Sequence, residues 1–190
     1  MSDHNLKPEE FAQAAAEAIA DALTRNVPGR AQVLARSGLS GVCALEAAGG
    51  LGLGIDFAVP IVTAAGQQRL PWPLLETLLI AKALGDSPLA QALASGERVA
   101  TWAWSGSLSS GLAGHARHAE VADWLLVADG EGGAALLDRA SLTVEADDAL
   151  DPEHPQAWLT WTHAEVLARL DAQAFQALQR EGHILTAAWA

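Results

Sequence analysis

The sequence holds a single cysteine, Cys43, and no tyrosine, and lysine and arginine together number only 11 against 23 aspartates and glutamates. Each shortage excludes something. One cysteine cannot form an intramolecular disulfide, and no Cys/His spacing of the kind that holds structural zinc is present, so a reducing, cytoplasmic compartment is expected. A formal charge of -12 and a pI near 4.7 supply no general attraction to phosphate backbones or anionic lipid, which removes nucleic acid and the membrane surface as expected partners. No apolar stretch approaches the ~20 residues of a spanning helix. The opening MSDHNLKPEEFAQ carries acids where a secretory signal has its apolar region, and a soluble protein is the expectation. Seven Trp stand beside three Phe, a skew that reads as core filling.

What is present suffices for one substantial core or two small packed domains, since 51% of the 190 residues are hydrophobic. Residues 8 to about 25 form a first expected helix, with Pro8 early, Glu9 and Glu10 near the positive end of its dipole, and Phe11, Ala15, Ala18, Ile19 and Ala22 at helical spacing. Asn26, Pro28 and Gly29 are expected to stop it, and Ala31–Leu39 reads as a short second helix. GGLGLG (49–54) reads as a loop before a third helical run from Ile55. Pro71 and Pro73 bracket Trp72, LLETLLIAKALG (74–85) is a clean helix, and Asp86, Ser87 and Pro88 open a short one through Leu93.

At Arg98 the pattern changes. RVATWAW (98–104), VADWLLVAD (121–129), GAALLDR (133–139), LTVEA (142–146) and AWLTWT (157–162) are strand-like runs separated by Gly, Ser, Asp and Pro. The expected fold class is α+β: an all-α domain over 1–96, a small antiparallel β-barrel or sandwich over 97–165, and a C-terminal helix over 166–190. That helix runs out in HILTAAWA without a Gly, Pro or polar cap. Such an apolar end calls for cover by a further domain or another chain, the alternative being that Trp189 folds back on its own β domain.

Motifs that carry chemistry are scarce, for GxSxG, HExxH and the P-loop are all absent. GGLGLG follows helical sequence rather than a strand and is read as a turn, not a dinucleotide fingerprint. His115 and His118 (HARH) lack nearby carboxylate or thiol partners and read as solvated histidines, with no metal expected. SGSLSSG (105–111) offers hydroxyls and backbone N–H groups to an anion, although plain connecting loops share its composition. Glu46, Glu76 and Glu165 read as solvated or helix-terminal charges.

The order of segments carries more. LEAAGGLGLGIDFAV (45–59), RLPWPLLETLLIAKALG (69–85), LASGERVATWAW (93–104) and AEVADWLLV (119–127) resemble successive landmarks of the acyl-CoA dehydrogenase family, and LTVEADDALDPEHPQAWLTW (142–161) is similar to the end of that family's middle domain. The resemblance covers nearly the whole chain. It implies an N-terminal helical domain, a middle β domain and then a four-helix bundle of which Ala172–Ala190 resembles the first helix. It implies FAD, and α,β-dehydrogenation of acyl-CoA thioesters in which a carboxylate takes the α proton while the flavin N5 accepts hydride from the β carbon.

Departures from the family pattern are equally specific. Ser105 stands where the family's TEPxAGSD-like flavin loop has Thr, and GSLSSG replaces the acid, the proline and the final Ser-Asp. LAGHARHAEVADW (112–124) is about three residues short of the family's strand, leaving Arg117 and His118 at the edge of a gap beside the flavin ring. Trp104, Ser105 and Ser107 are therefore the expected cofactor-binding positions, and no residue matches the family's catalytic base. Two functions follow from the resemblance: an acyl-CoA dehydrogenase-like protein not active alone, or a non-catalytic subunit that partners an active dehydrogenase. Both imply association through the C-terminal helix, as a homo-oligomer or with a dehydrogenase subunit, and acyl-CoA as a ligand.

Overall fold

Local capping chemistry sets the helices of the computed structural model, which describes residues 7–147, 151–152 and 154–190. The first six residues of MSDHNLKPEEFAQ lie outside these residues, as do four positions of the 142–161 landmark. Helix α1 spans Glu10–Leu23. The Asn26 side chain accepts a hydrogen bond from the Gly29 amide, and Pro28 sits in the first turn, so Asn26 opens α2 (Val27–Arg36) at once. The residues expected to break the chain thus start a helix, four positions earlier than Ala31. Helix α3 spans Ile55–Gln67, α4 spans Leu74–Ala83, and α5 spans Pro88–Ala94 with Ser87 as its cap. GGLGLG is irregular, as expected, and follows a 3₁₀ turn over Glu46–Ala48.

Helix α4 lies at the centre. Every residue from Leu74 to Ala81 is buried, Glu76 and Thr77 included, the signature of a helix apolar all round. The Thr77 hydroxyl donates to the Ala100 carbonyl at 2.8 Å and accepts from the Ala100 amide at 3.2 Å. It thereby satisfies both backbone groups of the residue that opens β1 (Ala100–Trp102), joining the helices to the sheets.

Among the described residues eight strands follow, in two four-stranded sheets. β2 spans Ser105–Ser107, β3 Leu112–Arg117, β4 Trp124–Ala128, β5 Ala134–Asp138, β6 Thr143–Asp147, β7 Gln156–Thr160 and β8 Val166–Leu170. One sheet runs β1-β4-β5-β8, its β1/β4 pair parallel and the rest antiparallel; the other runs β2-β3-β7-β6, all antiparallel. Alternation explains the layering. Leu125, Val127, Ala135 and Leu137 face Ala113, Ala116, Ala157 and Leu159 of the second sheet, whereas Leu126, Ala134 and Leu136 join the helical core. The first sheet is covered on both faces, which is why WLLV and AALL are continuous apolar runs. The result is an open sandwich, not a closed barrel.

Two further expectations change. The helix expected from 166 starts later: Val166–Leu170 pairs with β5, and Asp171 then caps α6 (Ala172–Trp189) by accepting from the Ala174 amide at 2.8 Å. The free edge of β5 outweighs the local helical propensity of VLARL. The start of SGSLSSG is strand β2 rather than loop, because it pairs with β3.

The double bond of Thr77 to Ala100 yields a stability expectation. Thr77→Val keeps the shape but orphans a buried N–H and a buried C=O, and denaturant unfolding should show a loss on the order of 2–3 kcal/mol; an unchanged midpoint would remove this bridge from the account of the fold.

Candidate functional site

Between β1 and β2 the chain changes sheets within one residue. The Ala103 amide donates to Leu126 of the first sheet and the Trp104 amide to Gly114 of the second. This corner leaves Trp104 45% exposed at the mouth of a small cleft of about 70 Å³ between the strands and α6. Trp102, Trp104 and Leu126 form the sheet side. Phe175, Leu178, Gln179 and Gly182 form the helix side, spaced i, i+3, i+4 and i+7 along one face.

Helix α6 is held close. A Cβ on Gly182 would lie 3.2 Å from Cη2 of Trp102, Leu178 and Leu185 are buried, and Glu181 pairs with Lys82 of α4. The Trp102 and Trp104 rings meet edge to face at 5.1 Å, and Trp104 lies near-parallel to His183 of α6 at 6.3 Å between centroids. The Trp102 indole N–H is buried without a hydrogen-bond partner.

The three expected cofactor positions separate. Trp104 lines the cleft. Ser105 is half-buried and pairs with Gly114 in the sheet. Ser107 turns to its own loop, its hydroxyl 3.1 Å from that of Ser109, while the Ser110 hydroxyl takes the Ser107 amide and donates to the carbonyls of Ser107 and Leu112. Sequence reasoning missed Trp102 and the helix side as site residues; the isolated Gly182 within a helix was the available signal of close approach.

Ionisable groups sit elsewhere. No charged side chain lines the cleft, whose polar side-chain groups are the Gln179 amide and the indoles of Trp102 and Trp104. The neighbouring hollow sets Asp129, Glu131 and Asp171 against the single Arg169. Buried Cys43 has its thiol pushed up to about 11, chiefly by burial and also by Glu181 and Asp56 against Lys82, so it is no nucleophile. Glu76 and His118, expected to be solvated, are buried at 4% and 3% exposure. Burial raises the Glu76 carboxyl above its ordinary range, opposed by Arg117, its own backbone N–H and His154. Burial lowers His118 to about 3, helped by Arg117, His154 and Arg30 and opposed by Asp151.

The lining therefore fits a flat apolar or aromatic group and does not fit a dinucleotide diphosphate. No cation lines the cleft, the hydroxyls of Ser107, Ser109 and Ser110 bond within their own loop, and the adjacent hollow is acidic. Among the described residues there is no group of three or more His, Cys, Asp or Glu arranged for a metal ion, and no helix long and apolar enough to cross a membrane.

Cleft occupancy can be read with an apolar fluorescent probe. Gly182→Leu drives carbons into the Trp102 ring and the cleft, so probe affinity should fall at least about fivefold with far-UV circular dichroism retained, whereas Ile184→Ser, at an exposed position of α6, should leave it within about twofold. Equal affinities in the two variants would place the probe elsewhere.

No protein-family model matches the sequence, and no curated protein matches it. Solved structures do. The Tcur3481-Tcur3483 steroid ACAD, an acyl-CoA dehydrogenase, superposes with a TM-score of 0.79 at 21% identity over 96% of this chain and 62% of that one. The ChsE4-ChsE5 complex from Mycobacterium tuberculosis gives 0.78 at 19% identity, over 100% of this chain and 64% of that one. A glutaryl-CoA dehydrogenase from Mycobacterium smegmatis in complex with FADH2 gives 0.67 at 13% identity, over 99% and 62%. The chain thus spans less than two thirds of the length of these neighbours. Helices α1–α5, the two-sheet sandwich and α6 together have the acyl-CoA dehydrogenase fold.

Proposed function

We propose that this chain is a subunit of a two-chain acyl-CoA dehydrogenase, in which its cleft takes the apolar part of an acyl-CoA thioester and another chain supplies the base and the FAD diphosphate contacts. The observation that carries the reading is the lining of the cleft: tryptophan, phenylalanine, leucine and one amide, with no ionisable group. Removing a proton from the carbon next to a thioester requires a base within hydrogen-bond reach of that proton, and no lining residue can act as one. The fully buried Glu76 belongs to α4 and does not line the cleft.

Support also comes from the character of the neighbours, since the ChsE4-ChsE5 structure is a complex of two differently named proteins. FAD would supply hydride acceptance when bound. Trp104, stacked near His183 at the mouth, is this chain's surface for a flat ring, and Ser105 lies in the strand beside it. A second reading, in which the chain is a non-catalytic structural subunit, rests on the spent serine hydroxyls of the altered loop.

Absorption and turnover decide between these. The purified chain, incubated with FAD and desalted, should retain less than about a tenth of an equivalent of flavin and form no enoyl-CoA with an artificial electron acceptor. The tagged chain recovered from its source cells should carry a flavin-bearing partner and oxidise acyl-CoA, with Trp104→Ala lowering kcat/KM about tenfold or more. Turnover by the chain alone overturns the proposal, and a partnered complex whose activity ignores Trp104→Ala favours the structural reading.

A further inference from the structure

The outward face of the second sheet carries an aromatic surface that shares no residue with the cleft lining. Along β7, Gln156, Trp158 and Thr160 point away from the core that takes Ala157 and Leu159. Trp158 is 37% exposed. A Cβ on Gly114 of β3 would lie 2.5, 2.7 and 2.9 Å from Cζ3, Cε3 and Cη2 of its ring. Three consecutive ring carbons so nearly equidistant from one point cover it with the ring face, because off the ring edge the outer two would be much farther than the middle one. The indole therefore lies flat on the backbone of β3, one face spent on Gly114 and the other turned to solvent.

Strand register shows how this seat is made. Ala113 pairs with Leu159 and Ala116 with Ala157, so Gly114 and His115 together oppose the single Trp158 across a β-bulge. A side chain at 114 would displace the ring. His115 takes φ +55, its Nδ1 lies 3.2 Å from Oε1 of Gln156, and its ring stands at 50° to the indole, 5.5 Å between centroids. It borders the indole on the β3 side. On the other side runs β6, the edge strand. There Glu145 is the direct partner of Trp158, and Asp147 that of Gln156; residues opposite one another on paired strands share a face. Neither carboxylate is in an ion pair among the described residues. Arg117, which also pairs with Gln156, holds its guanidinium over the Trp189 ring instead. The open indole thus lies beside uncompensated negative charge, on a chain whose formal charge is -12.

We propose that this face docks a basic partner protein, an arginine of which lays its guanidinium on Trp158 and pairs with Glu145. Three features select that occupant. A flat indole with a free face attracts a cation through the ring quadrupole, and tryptophan does so more strongly than the other aromatic side chains. A guanidinium is planar and stacks while its N–H groups fork onto a carboxylate, a geometry that an ammonium does not match. Charge weighs against a second copy of this chain as the occupant, since two bodies at -12 repel. Tryptophan and arginine are also the residues in which the binding energy of protein interfaces concentrates.

An NMR titration of the full chain tests the docking surface. The Trp158 indole N–H resonance is assigned by its loss in Trp158→Phe or, should that variant fail to fold, by its cross-peaks to Gly114. Addition of N-acetyl-triarginine amide should shift it saturably, with the trilysine analogue binding at least about fivefold more weakly and the tricitrulline analogue, planar but uncharged, leaving it in place. Glu145→Gln should weaken triarginine about threefold or more. Glu131→Gln, at an equally exposed position in the acidic hollow beside Asp129 and Asp171, should leave it within about 1.5-fold, since a distant surface charge is screened. A resonance that triarginine leaves unmoved, equal binding of tricitrulline, or equal effects of the two glutamate variants overturns the proposal. So does a shift produced by raising the concentration of the chain alone, which makes a second copy the occupant.

Discussion

The burial of α4 on every side is the constraint around which the rest is arranged. From Leu74 to Ala81 no residue reaches solvent, so this helix must be enclosed by α5, α6 and β1. Its two polar residues inside that stretch have to find partners within the protein. Thr77 does so by taking both backbone groups of Ala100, which fixes where β1 starts. Lys82, the residue after the stretch, reaches Glu181 and helps fix where α6 lies. The sheets and the last helix are therefore placed by the polar exceptions of an apolar helix.

The two ends of α6 differ in chemistry for the same reason. Phe175, Leu178 and Gly182 face Trp102 of the first sheet and Trp104 at the corner beyond it and leave an apolar cleft. Near its end, Trp189 faces Arg117 and His154, beside buried His118. One rigid helix spans an uncharged cavity and an ionisable cluster without exposing either to the other. Its apolar end is covered in part by the chain itself, Trp189 packing on α3 at Gly66 while Ile184 stays exposed.

Much of the fold was legible locally. Pro88 behind Ser87 announced α5, short apolar runs between Gly and Asp residues announced β4 and β5, and the succession of landmarks announced the acyl-CoA dehydrogenase fold. Asn26 was misread because a cap and a breaker share a composition, and only the geometry of its bond to Gly29 separates them. VLARL was misread because its strand exists only through pairing with β5, a partner about 30 residues away in the chain. Of the cleft lining, Trp104 was named from the family resemblance at the end of RVATWAW. Gly182 passed unnoticed because its neighbour Trp102 is brought to it by tertiary packing.

Composition and periodicity by themselves determined the acidity, the α-then-β order and the faces that had to be buried, because these depend on residue identity and near neighbours. Tertiary structure decided which charges those faces would carry inward. Glu76 and His118 look like ordinary surface groups in LLETLL and HARH, and nothing within a few residues marks either as buried. Their titration depends on the desolvation and the cations that distant elements bring to them, and electrostatics of that kind is a property of the assembled interior.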